Sequence, residues 1–242
     1  MNAPVAAPSV PPVLEARGLG RTLPGPVPVR LLGGVDLSFA PGTFTVITGP
    51  SGSGKSSLLY LLGLLDRPTE GELLLAGQPT GALDDEARAR LRLLHFGFVF
   101  QFHFLLPEFS VLDNVTLPMR ELGALSPAEM RERARGLLAA LDMAGEAGKR
   151  PDQLSGGERQ RTAIARALAN DPAIVLADEP TGALDTRNGR AVFAILRALA
   201  RQGRTVITVT HDEALAGMAE RRVHLVDGHV VADRAVTEPA QV

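Results

Sequence analysis

With 242 residues, a formal net charge of −2 and a pI of about 6.2, the chain can build one substantial core and carries no general electrostatic footprint for nucleic acid. It has no cysteine, which excludes disulfides, thiolate metal sites and cysteine nucleophiles. No run approaches the roughly 20 apolar residues of a membrane-spanning helix, and the N-terminus lacks the basic-then-apolar pattern of a secretory signal, so neither is expected.

Residues 1–12, rich in Pro and Ala, read as a disordered tail; 237–242 read as a loose end, with a single domain over 13–236 between them. Residues 37–39 and 44–48 carry β-branched and aromatic side chains around Pro41 and Gly42, the pattern of strand, turn, strand. The second strand runs into Gly49, Pro50, Ser51, Gly52, Ser53, Gly54, Lys55, Ser56 and Ser57, and 56–65 then read as a helix. Strand, glycine loop and helix in that order make a phosphate loop: glycines let successive N–H groups converge, and the helix N-terminus adds partial positive charge. Lys55 is expected to reach the β- and γ-phosphates of a nucleotide and Ser56 to bind Mg²⁺. The chain has 23 arginines and only two lysines, Lys55 and Lys149, yet a lysine stands in this loop, where a compact ammonium fits better than a forked guanidinium.

Further strands are expected at 72–75 and 97–100. Gln101 follows directly, within a run holding Phe100, Phe102, Phe104, Leu105, Leu106 and Phe109. So many apolar side chains after a strand either form a groove for a partner's helix or fill the core of the helical stretch that follows. That stretch contains a start signal at Ser126, Pro127 and Glu129, with Met130, Ala134, Leu137, Leu138 and Leu141 on one face. Ser155, Gly156 and Gly157 open another helix, continued by Ile164, Ala167 and Leu168. A hydroxyl and glycine amides at a helix start make a second anion site, which one nucleotide does not need.

Residues 174–177 read as a buried strand ending in Asp178 and Glu179. Two carboxylates at the C-terminal end of such a strand suit divided labour, Asp178 holding Mg²⁺ through water and Glu179 orienting or deprotonating an attacking water; a solvated pair in a turn has the same local appearance. Residues 185–201 read as an amphipathic helix with Val192, Ile195, Leu196 and Leu199 inward and Gly203 beyond its end. The apolar strand 205–210 is followed by His211, which on its own reads as structural, and a last strand is expected at 223–226.

Leu154 to Arg161, Leu-Ser-Gly-Gly-Glu-Arg-Gln-Arg, resemble the signature sequence of ATP-binding-cassette (ABC) ATPases. Residues 180–185 resemble that family's D-loop, ending in Asp185; Thr210, His211 and Asp212 its switch-histidine motif; and Gln101 its Q-loop glutamine. The resemblance covers about 13–233. It implies an α/β P-loop NTPase fold of the ABC type, with a RecA-like core, an antiparallel β subdomain and a helical subdomain at about 102–170. It implies ATP and Mg²⁺ as cofactors, with Glu179 and His211 catalytic and Ser56, Gln101 and Asp178 at the metal. It also implies a homodimer, or a dimer with a similar ATPase, in which Ser155, Gly156, Gly157 and Glu158 contact the ATP of the partner and so use the second anion site.

The segment around 100–109, together with Asp113, Asn114 and Val115, is similar to the lipoprotein-releasing and macrolide-exporter branch of the family. That similarity implies a peripheral subunit on the cytoplasmic face of the cell membrane, docking near 101–109 on an integral membrane subunit that exports or releases lipoprotein or a hydrophobic compound. The alternative is a mechanotransmitting ATPase that regulates a cell-wall hydrolase and transports nothing. A third, a soluble ABC ATPase acting on DNA or ribosomes, conflicts with the length, which leaves no room for a long coiled coil or a second cassette. One position departs from the family: the adenine-stacking aromatic falls near Thr22, where no Tyr or Trp stands, so the base is expected to pack on aliphatic groups such as Leu23 or Val29.

Overall fold

The computed structural model describes residues 11–236. In chain order, β1 (Leu14–Leu23), β2 (Val29–Phe39), β3 (Phe44–Thr48), α1 (Lys55–Leu62), β4 (Glu70–Leu75), β5 (Gln78–Pro79), α2 (Asp85–His95) and β6 (Phe96–Phe100) come first. Three helices follow, α3 (Val111–Leu122), α4 (Pro127–Ala140) and α5 (Gly156–Ala167). The chain closes with β7 (Ile174–Asp178), α6 (Thr186–Arg201), β8 (Thr205–Val209), the short α7 (Glu213–Ala216), β9 (Arg221–Val226) and β10 (His229–Ala235).

The strands form two sheets. One is antiparallel, in the order β2-β1-β4-β5. The other runs β10-β9-β3-β8-β7-β6 and is parallel except for β10 at its edge. Its central strands are buried on both faces, and the two-residue period divides their side chains between two cores. Ile47, Leu176, Ile207 and Val209 join one core with Leu58, Leu61 and Leu62 of α1 and the inner faces of β1, β2 and β4. Phe44, Val46, Val175, Ala177 and Val206 join the other with α6 and the helices between β6 and β7. Phe44 meets Phe193 of α6 there, with ring centroids 5.8 Å apart.

The strands expected at 72–75, 97–100, 174–177, 205–210 and 223–226 are present to within two residues. At α4 the expected capping box forms, with Ser126 Oγ accepting from Glu129 N and the Glu129 carboxylate accepting from Ser126 N; Ala134 and Leu138 are buried. Asp185 caps α6 rather than lying within it. The helix expected over 56–65 spans Lys55–Leu62, because Gly63 closes it and Leu64 takes a left-handed conformation at φ 58°. Residues 37–39 are only the end of the eleven-residue β2, and its partner β1 was not foreseen at all. Gly18 and Gly20 lie inside β1, and its register shifts interrupt the alternation that marks a strand. The loose ends expected over 1–12 and 237–242 lie outside the described residues, apart from Pro11 and Pro12.

Candidate nucleotide site

Parallel pairing brings the site together. β3, β8, β7 and β6 lie side by side, so the segments leaving their C-terminal ends are neighbours: the glycine loop after β3, His211 after β8, Asp178 and Glu179 at the end of β7, and Gln101 after β6. Residues far apart in sequence thus meet because each follows a strand of one sheet.

The loop is built for close backbone approach. A Cβ at Gly49 would stand 2.0 Å from Leu225 O, and one at Gly54, where φ is 94°, would stand 2.6 Å from Leu31 O. α1 begins at Gly54 without a side-chain cap, so its first amides are free for an anion. Lys55 is 8% exposed, and its ammonium donates to Gly49 O at 2.9 Å and Pro50 O at 2.7 Å, arching along the loop.

Ser56 Oγ donates to Asp178 Oδ1 at 2.9 Å, so the two expected metal ligands already lie together. Tyr60, one turn further along α1, reaches the same carboxylate; burial first, and then the Asp178 charge, push its phenol above the usual range. Sequence reading missed this residue, although its i+4 spacing from Ser56 places both on one face of α1.

Glu179 is held at φ 47° while its N–H donates to Val209 O at 3.0 Å, tying the turn to β8. Both of its carboxylate oxygens accept from His211 Nδ1, at 3.0 and 2.9 Å. His211 is therefore no isolated histidine: it bonds the carboxylate that follows β7. The Gln101 amide lies against the turn after Glu179, where a Cβ on Gly182 would meet its Nε2 at 2.7 Å.

At the start of α5, Ser155 N donates to the Glu158 carboxylate at 2.7 Å and Glu158 N donates to Ser155 Oγ at 3.3 Å. The backbone and hydroxyl contacts of Ser155 hold the Glu158 carboxyl below the usual range. Ser155 itself is exposed. Gly157 packs on Asn188, whose Oδ1 would stand 2.7 Å from an added Cβ, and Asn188 in turn donates from N and Nδ2 to the capping carboxylate of Asp185. The start of α5 and the segment ending at Asp185 thus form one packed unit.

The family model for ABC transporters matches residues 32–182. The chain belongs to that family. Its cassette is an ATPase of the ABC type, and the mixed parallel sheet, the antiparallel sheet and the helices between β6 and β7 are that fold. It is 51% identical to the lipoprotein-releasing system ATP-binding protein LolD of Anaeromyxobacter dehalogenans, over 96% of this chain and 97% of that protein. It is 50% identical to the macrolide export ATP-binding/permease protein MacB of Rhodopseudomonas palustris, over 91% of this chain but only 34% of that protein. The dimeric post-hydrolysis structure of the ATP-binding cassette MJ0796, bound to ADP and Pi, superposes with a TM-score of 0.86 at 41% identity, covering 93% of this chain and 99% of that one.

The residues present suit the nucleotide and its metal. The first amides of α1 carry no side-chain cap, and the loop is seated so closely on Leu225 O and Leu31 O that a Cβ at Gly49 or Gly54 would displace it. A hydroxyl and a carboxylate 2.9 Å apart are the hard oxygen donors Mg²⁺ takes, and Mg²⁺ needs few protein ligands when phosphates supply the rest. Among the described residues no group of three or more His, Cys, Asp or Glu could hold a metal by itself.

Beside the site, the run after Gln101 is now placed. Phe102, Phe104 and Leu106 are 68%, 63% and 41% exposed, so they do not fill the core. Phe104 also lines an apolar cavity of about 560 Å³, with Leu93, Phe98, Phe100 and Pro118 among its other walls, between the parallel sheet and the helices. The fully buried Asn114 braces this run: Leu106 N donates to its Oδ1, and its Nδ2 donates to Leu106 O, Phe109 O and Ser110 O. Asn114→Ala is expected to destabilise the protein by about 2–4 kcal/mol, because several part-buried backbone groups lose their partner together. Urea unfolding should report this as a lower midpoint with an unchanged slope.

Proposed function

We propose that the chain is the ATP-hydrolysing subunit of an exporter. It dimerises on ATP with a second copy and drives an integral membrane subunit that exports or releases a lipoprotein or a hydrophobic compound. The observation that carries this reading is the presence of two helix starts suited to an anion on one chain, the uncapped start at Gly54 and the exposed, Ser-capped start at Ser155. An exposed signature serine fits a site completed by another copy, and the similar MJ0796 cassette bound to ADP and Pi is dimeric.

Within that site the glycine loop and Lys55 would hold the phosphates, with Pro50, Ser51, Ser53 and Ser57 in the same loop and first turn. Ser56, Asp178 and Gln101 would hold Mg²⁺, which when bound neutralises phosphate charge and orients it. Glu179, oriented by His211, would take the proton of the attacking water. Ser155, Gly156, Gly157 and Glu158 would close on the ATP of the other copy. Loss of the γ-phosphate then removes the contact that holds the two copies together.

Among the described residues no helix is long and apolar enough to cross a membrane. The exposed Phe102, Phe104 and Leu106, with Phe104 in the wall of the apolar cavity, support a docking surface for a cytoplasmic helix of the membrane subunit, which would place this chain on the cytoplasmic face. The test is capture of the Glu179→Gln protein from its own cells, in mild detergent with ATP. A membrane subunit that brings lipoprotein or an exporter's adaptor supports transport; one that brings a cell-wall hydrolase replaces transport by force transmission; no membrane protein at all overturns the docking reading.

Nucleotide choice follows from β1 and β2. Leu23 pairs with Val29 and both are exposed, while Leu31, two residues on, lies against Gly54 of the phosphate loop. A base seated on these aliphatic groups lacks about 0.5–1.5 kcal/mol of ring stacking. ATP and GTP should therefore be turned over with kcat/KM values within about ten-fold of each other, and strong discrimination would refute this account of the base.

A further inference from the structure

The segment His103–Phe104 is clamped by an arginine of the signature helix. Arg166, in the last turn of α5, donates from Nη1 to Phe104 O and from Nη2 to His103 O, each at 2.6 Å. Burial pushes its guanidinium below the usual range, so its forked donors are spent in a partly dry setting on two successive carbonyls. The carbonyls belong to a strained turn. Phe104 sits at φ 46°, a conformation that side-chain-bearing residues adopt only when their surroundings enforce it, and its ring meets Phe100 edge-on at 5.5 Å. The same α5 starts at Ser155 with its capping box and spans about 18 Å at about 1.5 Å per residue.

We infer that Arg166 is the positioning residue that makes the signature and the exposed aromatic segment move as one piece. A displacement of Ser155 toward a second copy's nucleotide is carried along the helix, and the two-pronged bond transmits it to His103 and Phe104. Asn114 anchors the far end of the same run to α3, so the run is strung between two helices and shifts when one moves against the other. This inference rests on the proposed ATP-driven dimer and adds to it the side chain through which nucleotide and docking segment communicate.

The experiment is amide hydrogen exchange over 102–110 in the Glu179→Gln protein, with and without Mg-ATP, beside light scattering to follow dimerisation. The parent should dimerise on ATP and change its exchange over 102–110 as it does so. With Arg166→Leu added, ATP should still produce the dimer, exchange over 102–110 should be about 10- to 100-fold faster at rest, and the response to ATP there should be lost. Arg166→Lys keeps charge and stem but not the fork, and should behave in the same way; it replaces the leucine variant if that one does not fold. A purely structural arginine would instead loosen all of α5 and leave the ATP response over 102–110 in place. That response persisting in both variants, or being absent from a dimerising parent, overturns the inference. So does loss of ATP-driven dimerisation in the variants, which would make Arg166 a support of the signature itself. A parent that binds ATP and stays monomeric takes down the dimer reading, and the inference with it.

Discussion

Glu179→Gln should bind ATP with near-unchanged affinity and hydrolyse it about 10²–10⁴-fold more slowly, the usual cost of removing a positioned general base. The geometry behind the size of this effect is specific. Both Glu179 carboxylate oxygens accept from His211 Nδ1, its N–H is bonded to Val209 O, and its backbone is left-handed at φ 47°. An amide at the same position keeps the shape and one acceptor for the histidine but cannot take a proton from water. Steady-state phosphate release at saturating ATP measures the effect, and turnover within a few-fold of the parent would remove Glu179 from that role.

Lys55→Ala should act earlier, on binding. Lys55 is buried and its ammonium already bonded to loop carbonyls, so little reorganisation separates it from a bound phosphate. Two charge-assisted contacts to phosphate oxygens at about 1.5–3 kcal/mol each correspond to a dissociation constant raised by about 10²–10⁴-fold. Lys55→Arg should not restore it: the guanidinium is larger and planar, and Gly49, Gly52 and Gly54 leave room for backbone approach rather than for a fork. Titration calorimetry with ATP on both variants checks this, and an unchanged dissociation constant for either would show that the loop amides alone hold the phosphates.

The site was largely legible in the sequence because each of its parts follows a strand of one sheet. Short motifs with fixed internal spacing, 49–57 and 178–185, report local backbone geometry, and the parallel strand order then brings them together without long-range information, whereas 154–158 follow no strand and report only the start of α5. His211 shows the limit of that reading. Its Nδ1 bond to Glu179 depends on β7 and β8 being neighbours, which no local pattern encodes. Tyr60 could have been found by helical spacing from Ser56, whereas the Arg166 contact crosses 62 residues of chain and leaves no sequence trace.

The fold was less legible where elements are polar or interrupted. α2 buries only Arg88, whose guanidinium donates to Leu64 O and Asp66 O beyond the end of α1, so its inward residue reads as a surface charge. β10 is an edge strand of mixed polar character, and β1 owes its place to pairing on both sides despite its glycines. In each case tertiary contacts, not local preference, decide the conformation.

The central claim is that one chain holds only half of each ATP site. Light scattering of the Glu179→Gln protein with and without saturating Mg-ATP tests it most directly, with Ser155→Arg in the same background as the comparison. The account predicts that ATP doubles the mass of the first protein, and that the second binds ATP yet stays monomeric. A Glu179→Gln protein that remains a monomer with ATP bound, or a Ser155→Arg variant that dimerises as readily, would contradict it.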